Sequence, residues 1–257
     1  MTNMILESFR LSGANALVTG SHRGLGEAIA VALAQAGANV ACHGRSADGS
    51  GVTDKVRKVG RKTFYVQADL ADRKACKELM ERSIQEFGSV DILVNNAGTI
   101  RRAPAAELPM EDWDEVIAVN LTSVFRLSQL AAQHLLSRGA RGKIVNIASL
   151  LSFQGGILVP AYAAAKGGVA QLTKALANEW APRGINVNAI APGYMATDNT
   201  TALRNDANRS RQILERIPAA RWGESSDVAG AAVFLCSSAS DYIHGHVLAV
   251  DGGWLAR

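Results

Sequence analysis

The 257-residue chain is poor in cysteine (three), proline (six) and aromatic residues (5%). Cys42, Cys76 and Cys236 stand far apart and share no metal-ligand or paired spacing. That excludes a disulfide-stapled scaffold and a zinc module, leaves three reduced thiols, and gives no metal site to expect. Long apolar runs are also missing. None approaches the ~20 residues that cross a bilayer, so a membrane is not an expected partner. The opening MTNMILESFRLSG lacks the basic start and apolar core of a secretory leader, which points to a cytoplasmic protein. The charge is mild, with 27 Lys and Arg against 23 Asp and Glu, and the basic residues are scattered rather than run together. Nucleic acid is therefore not an expected partner. No repeat, low-complexity linker or shift of composition divides the chain, so residues 1–257 are expected to form a single domain.

What is present is alternation. Apolar, strand-like runs near 14–19, 38–43, 63–67, 91–94, 142–148, 184–190 and 246–250 are separated by helical patterns near 25–36, 50–59, 72–87, 111–137, 161–181 and 225–237. Strand and helix in repeated order imply an α/β protein of the Rossmann type: a doubly wound, parallel, seven-stranded sheet with helices on both faces. Ligands of such sheets bind beyond the carboxyl ends of the strands. One stretch breaks the rhythm. Residues 194–222 are long and polar, and insertions of this kind are often lids over a site.

The first strand runs into T-G-S-H-R-G-L-G, and Gly20, Ser21, His22, Arg23, Gly24, Leu25 and Gly26 form a turn that opens a helix with Leu25, Ile29, Ala32 and Leu33 at helical spacing. A strand, a glycine turn and a helix N-terminus together make a phosphate cradle, because missing Cβ atoms let backbone N–H groups approach and the helix end is partly positive. The spacing is G-x-x-x-G-x-G. Alone it is also compatible with a plain tight loop.

Other residues with chemistry fall at later strand ends. Asp69 and Leu70 follow the third strand, where a carboxylate can accept from an adenine amine or cap a helix. Asn96, Ala97 and Gly98 follow the fourth. Asn120 is an amide among apolar neighbours within 111–137 and needs a partner. Ser149 closes the fifth strand, and Pro192 and Gly193 lead from the sixth to Thr197. Tyr162 and Lys166 stand four apart on a helical pattern, thirteen residues and more beyond Ser149. Residues i and i+4 share a helix face. A nearby cation favours the phenolate and lowers a tyrosine pKa from its usual value of about 10, which would suit proton exchange with a carbonyl or alcohol. By itself the pair also fits a tyrosine packed beside a solvated lysine.

Taken together, TGSHRGLG, NNAG, Asn120, Ser149, YAAAK, PG-x-x-x-T and the late DGG resemble the short-chain dehydrogenase/reductase family over essentially the full length. The resemblance implies hydride transfer between a nicotinamide cofactor and a carbonyl carbon. It makes Tyr162 the general acid or base, with Lys166 lowering its pKa and binding the nicotinamide ribose. Ser149 would stabilise the developing alkoxide, and Asn120 would hold a water linking Lys166 to solvent. Pro192, Gly193 and Thr197 would hold the nicotinamide end. The second strand ends in VACHGRS, with no carboxylate to bind ribose hydroxyls and repel a 2′-phosphate. Arg45, Ser46, His22 and Arg23 could clamp that phosphate, so NADP(H) is favoured, with NAD(H) the alternative.

Several segments, among them NNAGTIRR, SLLSFQGG, RIPAARWG and DGGWLAR, are similar to the branch of the family that acts on deoxy sugar acids. Such substrates are of the 2-deoxy-gluconate, 2-keto-3-deoxygluconate or deoxy-hexoseulose uronate type. Arg101 and Arg102 are expected to meet the substrate carboxylate, unless one points to solvent and the other packs on an acidic neighbour. Gln154, Tyr194, Met195 and Asn199 are expected to line the pocket beside Ser149 and Tyr162. A 3-oxoacyl carrier-protein thioester or a polyol is the alternative substrate. A non-catalytic dinucleotide-binding regulator is the alternative class, although it would not need Ser149, Tyr162 and Lys166 together. The resemblance implies a homotetramer, to which alanine- and leucine-rich helices and an apolar Trp254–Leu255 ending are expected to contribute contacts.

Overall fold

A computed structural model describes residues 4–257. Seven parallel strands form one sheet: β1 (Asn15–Val18), β2 (Asn39–Gly44), β3 (Thr63–Gln67), β4 (Ile92–Asn95), β5 (Gly142–Ile147), β6 (Ile185–Pro192) and β7 (Val247–Val250). Their order is β3-β2-β1-β4-β5-β6-β7. Between them run α1 (Gly24–Gln35), α2 (Ser50–Lys58), α3 (Arg73–Phe87), α4 (Met110–Ile117), α5 (Ser123–Ser137), α6 (Pro160–Trp180), α7 (Thr201–Asn205), α8 (Ala207–Arg216) and α9 (Ser225–Cys236). The strand order reverses beside β1, where β4 lies on one side and β2 on the other. That is the switch point at which such sheets open a crevice.

Both sheet faces are covered, so the strands read as continuous apolar runs. Alternate residues of one strand serve opposite cores, as the two-residue strand period requires. Val18 joins Ile29 and Leu33 of α1 and Val228 and Leu235 of α9. Leu17 joins Leu79 of α3, Leu127 of α5 and Leu176 of α6. Each such side chain, removed fully from water, contributes ~1.5–3 kcal/mol. The helices start where the local chemistry allows. The Asp72 carboxylate accepts from Lys74 N at 2.8 Å and begins α3, and Gly88 in the left-handed region (φ 81°) ends it. All three cysteines are free and buried.

Two departures from the expected layout bear on function. The helix expected over 111–137 is interrupted by a π turn at Ala118–Thr122 that contains Asn120. The 194–222 segment is also not a loose loop. Met195 bridges Gly223, and the bonds Ala196 N to Gly223 O (2.7 Å) and Gly223 N to Tyr194 O (2.9 Å) clamp its base. Within it, Asp206 accepts from Asn208 N and Arg209 N, both at 3.0 Å, and so starts α8. Among the described residues, no helix is long and apolar enough to cross a membrane.

Candidate active site

A cavity of about 460 Å³ follows the carboxyl ends of the strands, from Arg45 and Asp69 at one end, past the glycine turn, to Tyr162 and Lys166. The turn depends on missing Cβ atoms. Gly20 has φ +62°, and a Cβ there would lie 2.8 Å from Ala97 Cα. A Cβ on Gly26 would lie 2.2 Å from Gly20 O and 2.3 Å from Asn96 Nδ2. Asn96 fixes the turn by donating from Nδ2 to Thr19 O (2.9 Å) and Gly20 O (3.1 Å). Thr19 Oγ1 accepts from the main chain of Asn96 and Ala97, at 3.0 Å each. No side chain caps α1, whose N-cap is Arg23, so its first N–H groups meet the cavity without a side-chain acceptor. An uncapped helix end behind a glycine cradle fits the pyrophosphate of a dinucleotide.

His43 holds this cradle in place and was not among the expected residues. Its Nδ1 accepts from Gly20 N at 3.0 Å, while its Nε2 lies 3.1 Å from the Ala68 carbonyl. A carbonyl only accepts, so Nε2 carries the proton and the ring is neutral. Ser21 Oγ accepts from His43 N at 2.9 Å, and Ser21 N donates to His43 O at 2.8 Å. Burial pushes the His43 pKa down to about 4, aided by the His22 charge and opposed by the Ala68 carbonyl and Asp69. A histidine at the end of the strand beside a glycine turn was the available signal. His22 itself keeps a buried Nδ1 with no partner among the described residues. Burial lowers its pKa, with the Arg23 charge acting in the same direction.

At the Arg45 end, the expected cations meet carboxylates of the protein. Arg23 pairs with Asp198 at 2.9 Å and Arg45 with Glu115 at 3.7 Å. Asp69 Oδ1 accepts from Ala71 N at 3.0 Å, so this carboxylate caps a turn as well as lining the cavity. Leu70 is buried beneath it and Ser46 is exposed at the rim. Arg101 packs on acidic neighbours, the alternative to a bond with the substrate carboxylate. It bonds Asp112 at 3.3 Å and Glu115 at 2.6 Å, both on α4, and Glu115 also faces Arg45. The carboxylates of α4 thus hold Arg101 toward the Arg45 end of the groove.

At the other end, β5 delivers Ser149 and α6 delivers Tyr162 and Lys166. Ser149 is extended and its Oγ accepts from Leu151 N at 3.2 Å, which starts a 3-10 turn at Leu150–Ser152. Ser152 Oγ donates to Lys166 O at 2.6 Å and ties that turn to α6. Pro160 sits in the first turn of α6, where its fixed φ costs nothing. Lys166 Nζ lies 5.6 Å from the Tyr162 ring centre and donates to Ile147 O at 2.5 Å. The lysine is only 4% exposed, and burial pushes its pKa down to about 8. The Tyr162 phenol is raised, not lowered as the sequence suggested. Desolvation exceeds the opposing effects of a Ser149 hydrogen bond and the Arg102 charge.

Asn120 is fully buried, and both ends of its amide engage one backbone unit. Nδ2 donates to Thr99 O and Thr99 N donates to Oδ1, each at 2.8 Å. The π turn thereby fixes the loop that follows Asn96, Ala97 and Gly98. Beyond β6, Gly193 N donates to Val250 O at 2.9 Å, and Thr197 lines the cavity. Tyr194 packs between Trp222 (5.8 Å between ring centres) and Trp254 (4.7 Å). Gln154 Oε1 accepts from Trp254 Nε1 at 3.3 Å. Met195 was expected to line the pocket. It is 5% exposed and packs in the core against Gly223, because its apolar side chain points under the segment base. The Asn199 side chain lies outside the described residues. Trp254 is 5% exposed within its own chain. Among the described residues, no three His, Cys, Asp or Glu side chains are grouped to hold a metal.

A dinucleotide cradle at the sheet switch point, leading to a serine–tyrosine–lysine centre, defines an α/β nicotinamide oxidoreductase site. The chain belongs to the short-chain dehydrogenase/reductase family. A family model described as enoyl-(acyl carrier protein) reductase matches residues 20–255. The chain is 53% identical over 254 residues, covering 99% of it and 100% of the relative, to a 2-dehydro-3-deoxy-D-gluconate 5-dehydrogenase of Escherichia coli K12. It is similar to the structure of a gluconate 5-dehydrogenase of Burkholderia cenocepacia in complex with NADP and tartrate. There the TM-score is 0.94 at 40% identity, over 99% of this chain and 100% of that one. A third relative, from Agrobacterium tumefaciens, is provisionally assigned as a 2-deoxy-D-gluconate 3-dehydrogenase and holds NADP. It is 57% identical with a TM-score of 0.91, over 97% of this chain and 99% of that one.

Proposed function

We propose that the protein interconverts a hydroxyl and a keto group on a deoxy sugar acid of the 2-dehydro-3-deoxy-D-gluconate type, with NADP(H) as cofactor and NAD(H) as the alternative. The observation that carries the reading is the groove that runs from the glycine cradle to Tyr162 and Lys166, where Ser152 ties the turn that Ser149 starts to α6. The names of the relatives agree with it. Bound there, the nicotinamide ring would supply or accept the hydride. Gly20, Gly26 and the N-terminus of α1 would hold the pyrophosphate. Arg45, Ser46 and Arg23 would hold the 2′-phosphate once their carboxylate partners release them. Tyr162 holds the proton that passes to the carbonyl oxygen in reduction, or takes it in oxidation. Ser149 donates to the same oxygen and steadies its developing charge. Lys166, dry and close to neutrality, restores the Tyr162 proton. Arg102 faces the substrate carboxylate, where a charge-assisted bond is strongest.

The clamped base and two short helices of 194–222 fit a lid that closes over the sugar acid. A homotetramer in the cytoplasm is the assembly we infer from family membership; Phe125, 42% exposed on α5, supports a contact there. The second reading is a 3-oxoacyl carrier-protein thioester; the description of the matching family model shares the carrier-protein thioester with it but names an enoyl group. The test is a steady-state screen of the purified protein with both cofactors. It would compare 2-dehydro-3-deoxy-D-gluconate, 2-deoxy-gluconate, a deoxy-hexoseulose uronate and a 3-oxoacyl thioester. A high kcat/KM on a sugar acid with NADP(H) is expected. Turnover of the thioester alone would discard the substrate assignment and keep the catalytic residues.

A further inference from the structure

Trp254 joins parts of the chain that lie far apart in sequence. Its indole lies 4.7 Å from Tyr194, just beyond β6, and the Arg216 guanidinium of α8 stacks 4.1 Å above it. It packs with Leu150, the neighbour of Ser149, and with Ile213 and Ile217 of the lid segment. The residues around it are held by backbone bonds. The Asp251 carboxylate accepts from Gly253 N and Leu255 N, both at 2.9 Å, and Ala219 N donates to Gly252 O at 2.9 Å.

One atom of this residue has a chemical consequence that packing lacks. The indole N–H is a donor only, and it donates to Gln154 Oε1. A glutamine amide has one acceptor end and one donor end of nearly the same shape, and its neighbours decide which way it faces. Trp254 therefore holds the carbonyl end of Gln154 and turns the NH2 end away from itself. Gln154 follows Ser149 by five residues, just past the turn that Ser149 starts, with its N–H donating to Leu150 O at 3.2 Å.

We propose that Trp254 is a positioning residue for the substrate and acts through Gln154. It keeps the two N–H donors of that amide aimed at hydroxyl or carboxylate oxygens of the sugar acid, and it couples this orientation to the placement of α8. The identity of the ligand rests on the reading given under Proposed function; the link between Trp254 and Gln154 does not.

The test is a double-variant cycle of Trp254→Phe and Gln154→Ala, read as kcat, sugar-acid KM and NADPH KM. Phenylalanine keeps a ring in the cluster and removes the N–H. Losing one oriented hydrogen bond should raise the sugar-acid KM about 3- to 10-fold, with kcat and the NADPH KM within about 2-fold. In the Gln154→Ala background the same change should add less than about 1.5-fold, because coupled residues are not additive. Full additivity would overturn the proposal and leave Trp254 as lid packing, as would an equal rise in the NADPH KM. If Trp254→Phe does not fold, Gln154→Glu still tests the donor end that Trp254 is proposed to orient. It replaces the donor end by a carboxylate and should raise the sugar-acid KM more than about 10-fold, and an unchanged KM would overturn the proposal. If the wild-type protein reduces only the thioester, the sugar-acid reading falls. The cycle run on the thioester then still decides: coupling sustains the Trp254–Gln154 link, and additivity ends it.

Discussion

Acid should weaken the fold through His43, and by a predictable amount. The ring is 2% exposed and neutral, with Nδ1 accepting from Gly20 N and Nε2 donating to Ala68 O. Its pKa is pushed from 6.5 down to about 4 by burial. In the unfolded chain the same ring takes a proton near pH 6.5, so between those values the unfolded state binds the extra proton. Stability is complete above about pH 6.5, falls as the pH drops toward 4, and levels off below that. A difference of about 2.5 units at ~1.4 kcal/mol each gives a total near 3 kcal/mol, of which about 2 kcal/mol is lost by pH 5. The assay is urea unfolding at pH 7 and pH 5 of two proteins that both carry His22→Gln, one with His43 and one with His43→Gln. Glutamine can accept from Gly20 N and donate to Ala68 O without taking a proton. The protein that keeps His43 should lose about 2 kcal/mol more than the His43→Gln variant between the two pH values. His134, whose pKa burial also lowers, acts equally in both proteins and cancels, and His22, whose charge acts on His43, is replaced by Gln in both. Identical losses in the two proteins would refute the assignment of a neutral, cradle-holding His43.

Two further outcomes follow from the groove. Gly26→Ala puts a Cβ within 2.3 Å of both Gly20 O and Asn96 Nδ2. It should weaken NADPH binding by about 10-fold or more while costing about 1–3 kcal/mol of stability, and unchanged affinity in a titration would refute the cradle. Arg45→Ala should weaken NADPH about 10-fold, the worth of one charge-assisted bond, and NADH by less than about 2-fold. Equal losses in fluorescence titrations would refute the phosphate clamp.

The strands were legible because burial on both sheet faces leaves each one as an unbroken apolar run, and the glycine turn because its residues have no substitute. What stayed hidden depends on contacts between distant parts of the chain. The π turn at 118–122 has the composition of the helix around it, and only the pairing of Asn120 with Thr99 shows why the extra residue is needed. His43 reads as one more residue of a strand until Gly20 and Ala68 are placed on either side of its ring. The ion pairs of Arg101 were hidden because its partners, Asp112 and Glu115, belong to a helix that the motif does not include. The Tyr162–Lys166 spacing gave their neighbourhood correctly. It gave the wrong direction for the phenol pKa, because spacing says nothing about the desolvation that dominates there.

The central claim is that Tyr162 passes the proton in NADP(H)-dependent turnover of a deoxy sugar acid. The measurement that tests it most directly is the rate of nicotinamide absorbance change with 2-dehydro-3-deoxy-D-gluconate and NADP+, for the wild-type protein and Tyr162→Phe, beside NADPH affinity for both. The account predicts a kcat lower by about 100-fold or more in the variant, with NADPH affinity within about 3-fold. Retention of most of the turnover by Tyr162→Phe would contradict it.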